Sequence, residues 1–424
     1  MTKRILAVVL LFITSTSAWG WGIYGHKTVA TIAYDNLTPA TKTAVDKIIH
    51  DSGYNDSDTL AADGLDDTKT QSGPSTVTFV DLSTWADELR ENHPNPYRDL
   101  TAGFHFIDIE VREPETEDTI EKWCDVTVKG SLKHHYCAVD EIDSNIATLK
   151  DASASEKQKF VALMFLVHLM GDIHQPLHCA DDTDQGGNLK YFLFQGPHST
   201  TGTETELHAV WDNLLAASSP SKAKMDSAVA TLSSQLESEI TQSDKTDWEQ
   251  GTPTDWAWES FQIAKNKIYN LFQAGPQNVE IDSQGNVVKT GTGAHKKPVI
   301  TQKVPFPDAF YTQEYRDIVN TQIKRAGLRL AYVLETTVGG AQGNIVPTKT
   351  PTDDSTPTAS SDQVKVTKKT AKIYKAPNSG SEVIKVVSQG DVLDTVPGWQ
   401  GNTYFEVKAD GQDGYIYKGN VAPQ

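Results

Sequence analysis

The sequence is poor in cysteine, in basic residues and in long apolar runs. Three cysteines among 424 residues are too few for a scaffold held together by disulfides. There are 38 lysines and arginines against 56 aspartates and glutamates, a net charge of −18, which argues against a broad basic surface for duplex nucleic acid. After the N-terminal segment, no apolar run is long enough to span a bilayer. We therefore expect a soluble globular chain of two or three domains, with no stable membrane insertion.

The N-terminal segment is typical of a secretory signal peptide. Lys3 and Arg4 precede the apolar run ILAVVLLFI, and small residues follow at Ala18 and Gly20. We predict cleavage after Gly20, which makes Trp21 the first residue and leaves the mature chain with a net charge of −20. The expected location is periplasmic or extracellular.

Export to an oxidising compartment permits disulfides. Cys124 and Cys137 bracket a short polar loop, which predicts a local bridge between them. Cys179 is then a leftover thiol beside a candidate metal ligand.

The apolar pattern divides the chain into two unlike parts. Residues 21–340 have mostly helical spacing, and the strand-like pieces GFHFIDIEV and LKYFLF are few. Residues 341–362 are rich in Thr, Pro, Ser and Asp, which indicates a flexible linker. Residues 363–424 contain short alternating runs separated by Gly, Pro and Asn. The predicted fold is a mainly α-helical domain followed by a small all-β barrel.

Two histidine–aspartate pairs share one spacing. His168 and Asp172 end an apolar helical segment, and His208 and Asp212 repeat the spacing in ELHAVWDNL. Residues four apart lie on the same face of a helix, so each pair can hold one metal ion. His178 follows the first pair closely.

Two further segments carry the same kinds of side chain. STWADELR contains Asp87, with Arg90 almost one helical turn later. GFHFID contains His105, followed by Phe106 and Asp108. Neutral imidazole and carboxylate are ligands that suit zinc, and one aspartate can bridge two ions.

The predicted mature terminus adds two nitrogen ligands. His26 lies five residues after Trp21, whose freed α-amino group can also bind a metal. A single such His–Asp pair is more often a surface or capping pair, and a histidine in an apolar helix usually serves the core. Two pairs together with the other three segments are hard to reach by chance. His174 would point away from the His168–Asp172 face, so we expect it to be structural.

These segments resemble the secreted zinc-dependent single-strand nucleases of fungi, plants and bacteria, the S1/P1 type. The likeness lies in WGIYGH, WADELR, HFID, VHLMGDIHQPLH with the following GGN, HAVWD, WAWES and GLRLA, and it covers about residues 21–335. It implies a mainly α-helical fold, also shared with zinc phospholipases C, around a cluster of three zinc ions.

The resemblance also implies a ligand set for each ion. The first zinc would be held by Asp87, His105, His168 and Asp172; the second by the amino nitrogen and carbonyl oxygen of Trp21, His26 and the shared Asp172; the third by His178, His208 and Asp212.

Four more positions match substrate contacts of that family. Arg90 is expected at the scissile phosphate, Phe106 stacked on a base, Asp108 hydrogen-bonded to that base, and Asn188 near a phosphate. The implied reaction is in-line hydrolysis of single-stranded DNA or RNA to 5′-phosphate products by a water that bridges the two zincs on Asp172. Removal of terminal 3′-phosphates, a 3′-nucleotidase activity, is expected from the same geometry. Three zinc ions and three aspartates leave a local charge of about +3, which would attract phosphate within an acidic protein.

The C-terminal segment resembles a bacterial SH3-like domain, judged by KIYKAPNSGSEVIKVVSQGDVLDTV and GYIYKGNVA. Such a domain would bind cell-wall peptides or other partners, and it points to a bacterial source.

Two alternatives stay open for the whole chain: a zinc-dependent phospholipase C, or a wall-binding protein with an inactive helical domain. We expect a monomer whose substrates are single-stranded nucleic acid and nucleotides.

Overall fold

The structure is a computed structural model of the full chain. It describes residues 21–52, 77–91, 101–124, 126–128, 131–133, 137–194, 203–213, 220–284, 286–291, 297–340, 363–367, 370–374, 383–394, 404–409, 412–417 and 421–423. The predicted signal peptide at 1–20 and the predicted linker at 341–362 lie outside the described residues, so both boundaries stay predictions.

Helices dominate the first part of the chain, as predicted. Those described are α1 Gly22–Asp35, α2 Pro39–Asp51, α3 Leu82–Glu91, α4 Ala138–Lys150, α5 Glu156–Asp172, α6 Leu207–Asn213, α7 Met225–Ser238, α8 Gln242–Trp248, α9 Pro253–Ile263 and α10 Gln313–Thr337. Capping interactions at their first residues determine where two of these helices begin. Thr38 caps α2 by accepting from the Thr41 backbone N–H, with Pro39 in the first turn. Ser155 begins α5 with a capping box closed by Gln158.

Helix α5 is the centre of the helical part. Nearly all of it from Phe160 to Asp172 is buried, because α1, α3, α4 and α10 pack around it. A helix that is apolar on every side belongs inside a protein. His168 and Asp172 are therefore buried in the core, because the helix that bears them lies at its centre.

Two short extended segments flank that helix. The strand predicted in GFHFIDIEV is wrong at its start, since Ala102–His105 forms a 3-10 helix. The chain then extends, and the Ile107 N–H donates to the His178 carbonyl at 2.8 Å. The predicted strand in LKYFLF is present as β3 Tyr191–Phe194, paired antiparallel with β4 Thr203–Glu206.

The remaining short strands of the helical part are β1 Val126–Val128 with β2 Ser131–Lys133, and β5 Lys289–Thr290 with β6 Lys297–Pro298. Cys124 and Cys137 form a disulfide on either side of the first of these hairpins, which confirms that prediction. Cys179 is buried and not bridged. Its thiol lies 3.3 Å from the Ile173 carbonyl oxygen, and burial raises its pKa.

The C-terminal part is made of strands: β7 Gln363–Val366, β8 Thr370–Tyr374, β9 Val383–Ser388, β10 Val392–Asp394, β11 Tyr404–Ala409, β12 Gln412–Tyr417 and β13 Val421–Pro423. They form one sheet in the order β11-β12-β8-β9 and another in the order β10-β7-β13. A separate apolar cluster that includes Val366, Ile373 and Ile416 is their core. This agrees with the predicted small β domain, while its SH3-like character stays a prediction.

Among the described residues, no helix has the length and hydropathy needed to cross a bilayer.

Gly327 sets the distance between α10 and α1. A Cβ at this position would lie 2.5 Å from Cγ2 of Ile32 and 3.2 Å from the Val29 carbonyl oxygen. We predict that Gly327→Ala lowers the free energy of unfolding by about 1–3 kcal/mol, because the helices must move apart. Ser144→Ala on the exposed side of α4 is the control and should change it by less than about 0.5 kcal/mol. Urea unfolding measures both, and equal stability of the two variants would contradict this account of the contact.

Candidate metal centre

The Asp172 carboxylate lies where the candidate ligands meet. Its Oδ2 is 2.9 Å from His105 Nδ1 and 3.1 Å from His168 Nε2. Its Oδ1 is 3.3 Å from His26 Nε2 and 3.8 Å from His178 Nδ1. Each oxygen thus faces a different pair of imidazoles, so this carboxylate is placed to bridge two cations.

Asp87, His105 and His168 form the first group around that carboxylate. Asp87 Oδ1 lies 3.7 Å from His105 Nδ1 and 3.6 Å from His168 Nε2, and those two nitrogens are 3.1 Å apart. His168 Nδ1 is 2.7 Å from the carbonyl oxygen of Ser83. Since a carbonyl can only accept, Nδ1 carries the proton and Nε2 can present a lone pair to the centre.

His26 enters from the first turns of α1. Its ring stacks on His168 with centroids 4.1 Å apart and an angle of 14°. Helix α5 allows this approach at Gly171, where a Cβ would lie only 2.7 Å from His26 Nδ1. Trp21 is buried beside the same glycine, with its Cδ1 at 3.8 Å from that Cβ position.

His178, His208 and Asp212 form a second centre. The two Nε2 atoms face each other at 3.1 Å, and Asp212 Oδ2 is 3.9 Å from His208 Nε2. The Nδ1 atoms lie 2.5 Å from the His105 carbonyl oxygen and 2.6 Å from the Gly186 carbonyl oxygen. Both Nε2 atoms therefore face one spot together with the carboxylate of Asp212, an arrangement that could hold a metal ion.

Gln175 orients the carboxylate of that centre. Its side-chain amide donates to Asp212 Oδ1 at 2.8 Å, and its own oxygen accepts from the Leu177 backbone N–H at 2.7 Å. Asp212 Oδ2 is left facing the histidines. Neither Gln175 nor Gly171 was predicted from the sequence, although both lie in GDIHQPLH, the segment that contains Asp172 and His178.

Metal ions would satisfy the buried polar atoms of the site that lack hydrogen-bond partners. Several buried ligand atoms make no hydrogen bond to any described residue: Asp87 Oδ1, Asp172 Oδ1, Asp212 Oδ2 and both ring nitrogens of His26. Buried polar atoms rarely stay without partners. Three groups of side chains could each hold an ion: His26, His168 and Asp172; Asp87, His105 and His168; His178, His208 and Asp212.

The pKa shifts describe a site with surplus negative charge. Burial acts to lower the pKa of His168, but the carboxylates of Asp172 and Asp87 outweigh it and raise the pKa to about 9. Burial raises the pKa of Asp212 well above its ordinary value, and the same two carboxylates raise it further. Protons would stabilise this cluster in the absence of metal, so metal binding would release them.

His174 belongs to a different network. Its Nδ1 donates to the Met170 carbonyl at 2.7 Å, and its Nε2 lies 3.0 Å from the guanidinium of Arg329. Burial, followed by the positive charge of Arg329, holds the pKa of His174 well below the usual range. It is a neutral structural histidine that ties α5 to α10.

Two of the predicted substrate contacts, Arg90 and Phe106, lie close in sequence to Asp87 and His105 of the first group. Arg90 is in α3 one turn after Asp87, and its side chain lies outside the described part of the structure. Phe106 follows His105 and is half-buried, and its carbonyl accepts from the Ala138 N–H at 3.0 Å.

The other two lie on neighbouring loops. Asp108 is partly buried, and burial with the nearby carboxylates of Asp181 and Asp184 raises its pKa to about 7. Asn188 is half-buried, and its amide donates to the Gln185 carbonyl at 2.8 Å. Substrate contact by these residues stays a prediction.

The family model described as S1/P1 Nuclease matches residues 21–339. The chain belongs to the S1/P1 nuclease family. The match begins at Trp21, contains all the predicted metal ligands, and ends before the C-terminal strands.

Three relatives illustrate this S1/P1 family membership. Nuclease S1 of Aspergillus oryzae is 27% identical over 194 residues, which is 46% of this chain and 54% of the relative. Nuclease P1 of Penicillium citrinum is 28% identical over 195 residues, 46% of this chain and 58% of the relative. Endonuclease 3 of Arabidopsis thaliana is 27% identical over 272 residues, 63% of this chain and 76% of the relative. The matched segment spans just over half the length of the two fungal nucleases.

The close contact between the His26 ring and Gly171 of α5 predicts the effect of a substitution on metal binding. Gly171→Ala would push the His26 ring from its place beside Asp172, so protein purified with zinc should retain less metal. Elemental analysis measures the loss. Gly339→Ala is the matched control, because a Cβ there would crowd Thr41 of α2 and should cost stability without loss of metal. Equal metal content in both variants would show that His26 is not a ligand.

The amide of Gln175 generates a second prediction. Gln175→Leu removes the donor to Asp212 and should weaken metal binding at the second centre by about 10–100-fold, measured by competition with a chelator. Gln322→Leu is the matched control, since that buried amide serves the His174 carbonyl and the Ser260 hydroxyl. Unchanged affinity in Gln175→Leu would mean that Asp212 needs no such support.

Proposed function

We propose that this chain is a zinc-dependent endonuclease. It would hydrolyse phosphodiester bonds of single-stranded DNA and RNA to 5′-phosphate products and would also remove terminal 3′-phosphates. The observation that carries the proposal is the set of buried histidine–aspartate groups that share Asp172, within a chain of the S1/P1 nuclease family.

Three zinc ions are proposed because the donors divide into three sets. Asp87, His105 and His168 with one oxygen of Asp172 would hold the first ion. The other oxygen of Asp172, with His26 and the amino nitrogen and carbonyl oxygen of Trp21, would hold the second; His178, His208 and Asp212 would hold the third. Imidazole and carboxylate donors at this density suit zinc rather than calcium or magnesium.

Zinc, when bound, would lower the pKa of water toward neutrality and offset charge on the phosphate. Hydrolysis adds water across the bond between phosphorus and the 3′ oxygen, and leaves a 5′-phosphate and a 3′-hydroxyl. The chain's own contribution is to fix the donors: Ser83, His105 and Gly186 hold three imidazoles through their carbonyls. Arg90, one turn after Asp87, would neutralise charge on the phosphate.

Substrate contacts explain a preference for single strands. A base must leave its stack to lie on the ring of Phe106, and pairing opposes this by a few kcal/mol. Asp108 would hydrogen-bond the edge of the unstacked base, and Asn188 would contact a phosphate. One carboxylate gives mild base preference at most, so a broad substrate range is expected.

The second zinc links activity to secretion. Trp21 is buried beside Gly171 and His26, and its amino group is free only after cleavage behind Gly20. A chain that keeps its leader has an amide in place of this amine. The proposed location is therefore periplasmic or extracellular, with activity that appears on maturation.

Metal content and cleavage measured on one sample test the proposal. Correctly processed protein should contain about three zinc ions and cut single-stranded DNA until a chelator is added. His168→Asn should lose metal and cleavage, whereas His50→Asn on the exposed surface of α2 should keep both. Three zincs with hydrolysis of phosphatidylcholine in place of DNA would favour a phospholipase C; little zinc would overturn the proposal.

An added residue tests the role of Trp21. One alanine before Trp21 of the mature chain should lower the zinc content by about one ion and reduce cleavage, because an amide nitrogen is a poor ligand. The control carries one alanine after Gln424. Full activity with a full complement of zinc in the N-terminal variant would remove Trp21 from the ligand set.

A further inference from the structure

Lys190 is fully buried although it carries a charge. Its ammonium donates to Asp182 Oδ2 at 3.1 Å, to the Gln273 carbonyl at 2.8 Å and to the Gly275 carbonyl. Asp184 Oδ2 lies 3.3 Å from the same nitrogen. All three N–H donors of the ammonium are therefore used. A lysine is almost never buried to this extent without such partners, so these contacts fix its side chain in one place.

The two carboxylates that face this ammonium are held by further side chains. The guanidinium of Arg112 donates to both oxygens of Asp182, with Nε at 2.6 Å from Oδ1 and a terminal nitrogen at 2.9 Å from Oδ2. The Tyr269 hydroxyl donates to Asp184 Oδ1 at 3.0 Å, and the Gly187 backbone N–H donates to the same oxygen at 3.0 Å. The segment that bears both carboxylates is thus anchored from several sides.

That segment, Asp181–Asn188, is here called the aspartate loop, and its backbone is strained. Thr183 and Gln185 have φ angles of 55° and 59°, in the left-handed region that side chains rarely adopt, and Gly186 and Gly187 follow at 61° and 87°. Such a conformation persists only where surrounding contacts determine it. The charged contacts of the loop supply that determination.

The aspartate loop ends at the second centre. The Gly186 carbonyl oxygen lies 2.6 Å from His208 Nδ1. Gly186 is also packed closely, since a Cβ there would lie 2.6 Å from the Leu177 carbonyl oxygen. The backbone carbonyl of Lys190 accepts from the N–H of Leu207, the residue before His208. A shift of the loop would therefore move the acceptor that sets the orientation and tautomer of the His208 imidazole.

We propose that Lys190 is a positioning residue for the second centre. Its ammonium holds the aspartate loop so that the Gly186 carbonyl fixes the His208 imidazole for a metal ion. Stability alone would not require the charge, because well-packed apolar residues often replace a buried ion pair without loss. The inference rests on the proposed function, since it requires that His178, His208 and Asp212 bind zinc.

Zinc release by a chelator tests this in the mature full chain, with elemental analysis of the protein after gel filtration and no nuclease assay. Lys190→Met keeps the apolar stem of the side chain and removes the charge. One zinc ion should leave at about tenfold lower chelator concentration, while the others leave as in the unmodified protein. His208→Asn identifies that ion, because it removes a ligand of the second centre. The variant that carries both substitutions should lose no further ion early.

Tyr269→Phe decides the matter if Lys190→Met does not fold, as judged by circular dichroism. It takes one donor from Asp184, so the same ion should leave at about threefold lower chelator concentration. Tyr315→Phe is the matched control. It removes a tyrosine hydroxyl that donates to the Lys267 carbonyl at 2.6 Å, and its zinc release should be unchanged.

Three results would overturn the inference alone: early release of all the ions together in folded Lys190→Met, release from Lys190→Met and Tyr269→Phe as in the unmodified zinc-loaded chain, or equal shifts in the two tyrosine variants. General loss of stability would produce the first and the third of these. An unmodified chain that binds no zinc would overturn the proposed function, and the inference with it.

Discussion

The arrangement of the helical part depends on one carboxylate shared between two sets of imidazoles. Asp172 is buried at the end of α5, with His105 and His168 near one oxygen and His26 near the other. A carboxylate in this position is costly unless positive charge surrounds it. The neighbouring imidazoles of His168 and His178 outweigh burial and hold the pKa of Asp172 well below its ordinary value. Metal ions would supply that charge more completely than protons.

Backbone carbonyls make the histidines into directed ligands. The imidazoles of His168, His178 and His208 each have Nδ1 at a carbonyl oxygen, which belongs to Ser83, His105 and Gly186 respectively. Each carbonyl lies on a different element, so the correct tautomer depends on the docking of α3, of the 3-10 helix Ala102–His105, and of the loop before β3. Metal bound at the candidate centre and the fold would therefore stabilise each other.

The sequence predicted the helical class and the two histidine–aspartate pairs because both leave periodic marks; the full ligand set came from the resemblance to the S1/P1 nucleases. The spacing of His168 and Asp172, and of His208 and Asp212, is readable on any helix. The roles of Gly171 and Gln175 are not, because they depend on which surfaces meet: Gly171 matters through the His26 ring from another helix, and Gln175 through Asp212.

The strand predicted through His105 failed for a related reason. Alternation of Phe and Ile favoured an extended run, but the contact of the His105 carbonyl with His178 holds the preceding turn as a 3-10 helix. Local pattern was overridden by a tertiary contact.

The net charge of −20 on residues 21–340 would oppose the approach of the proposed polyanionic substrate. The three aspartates of the site would deepen that repulsion if they stood alone. With three divalent ions they become part of a local charge of about +3, and the buried surroundings let that charge act with little screening. The acidic total would then favour departure of an anionic product of the proposed reaction.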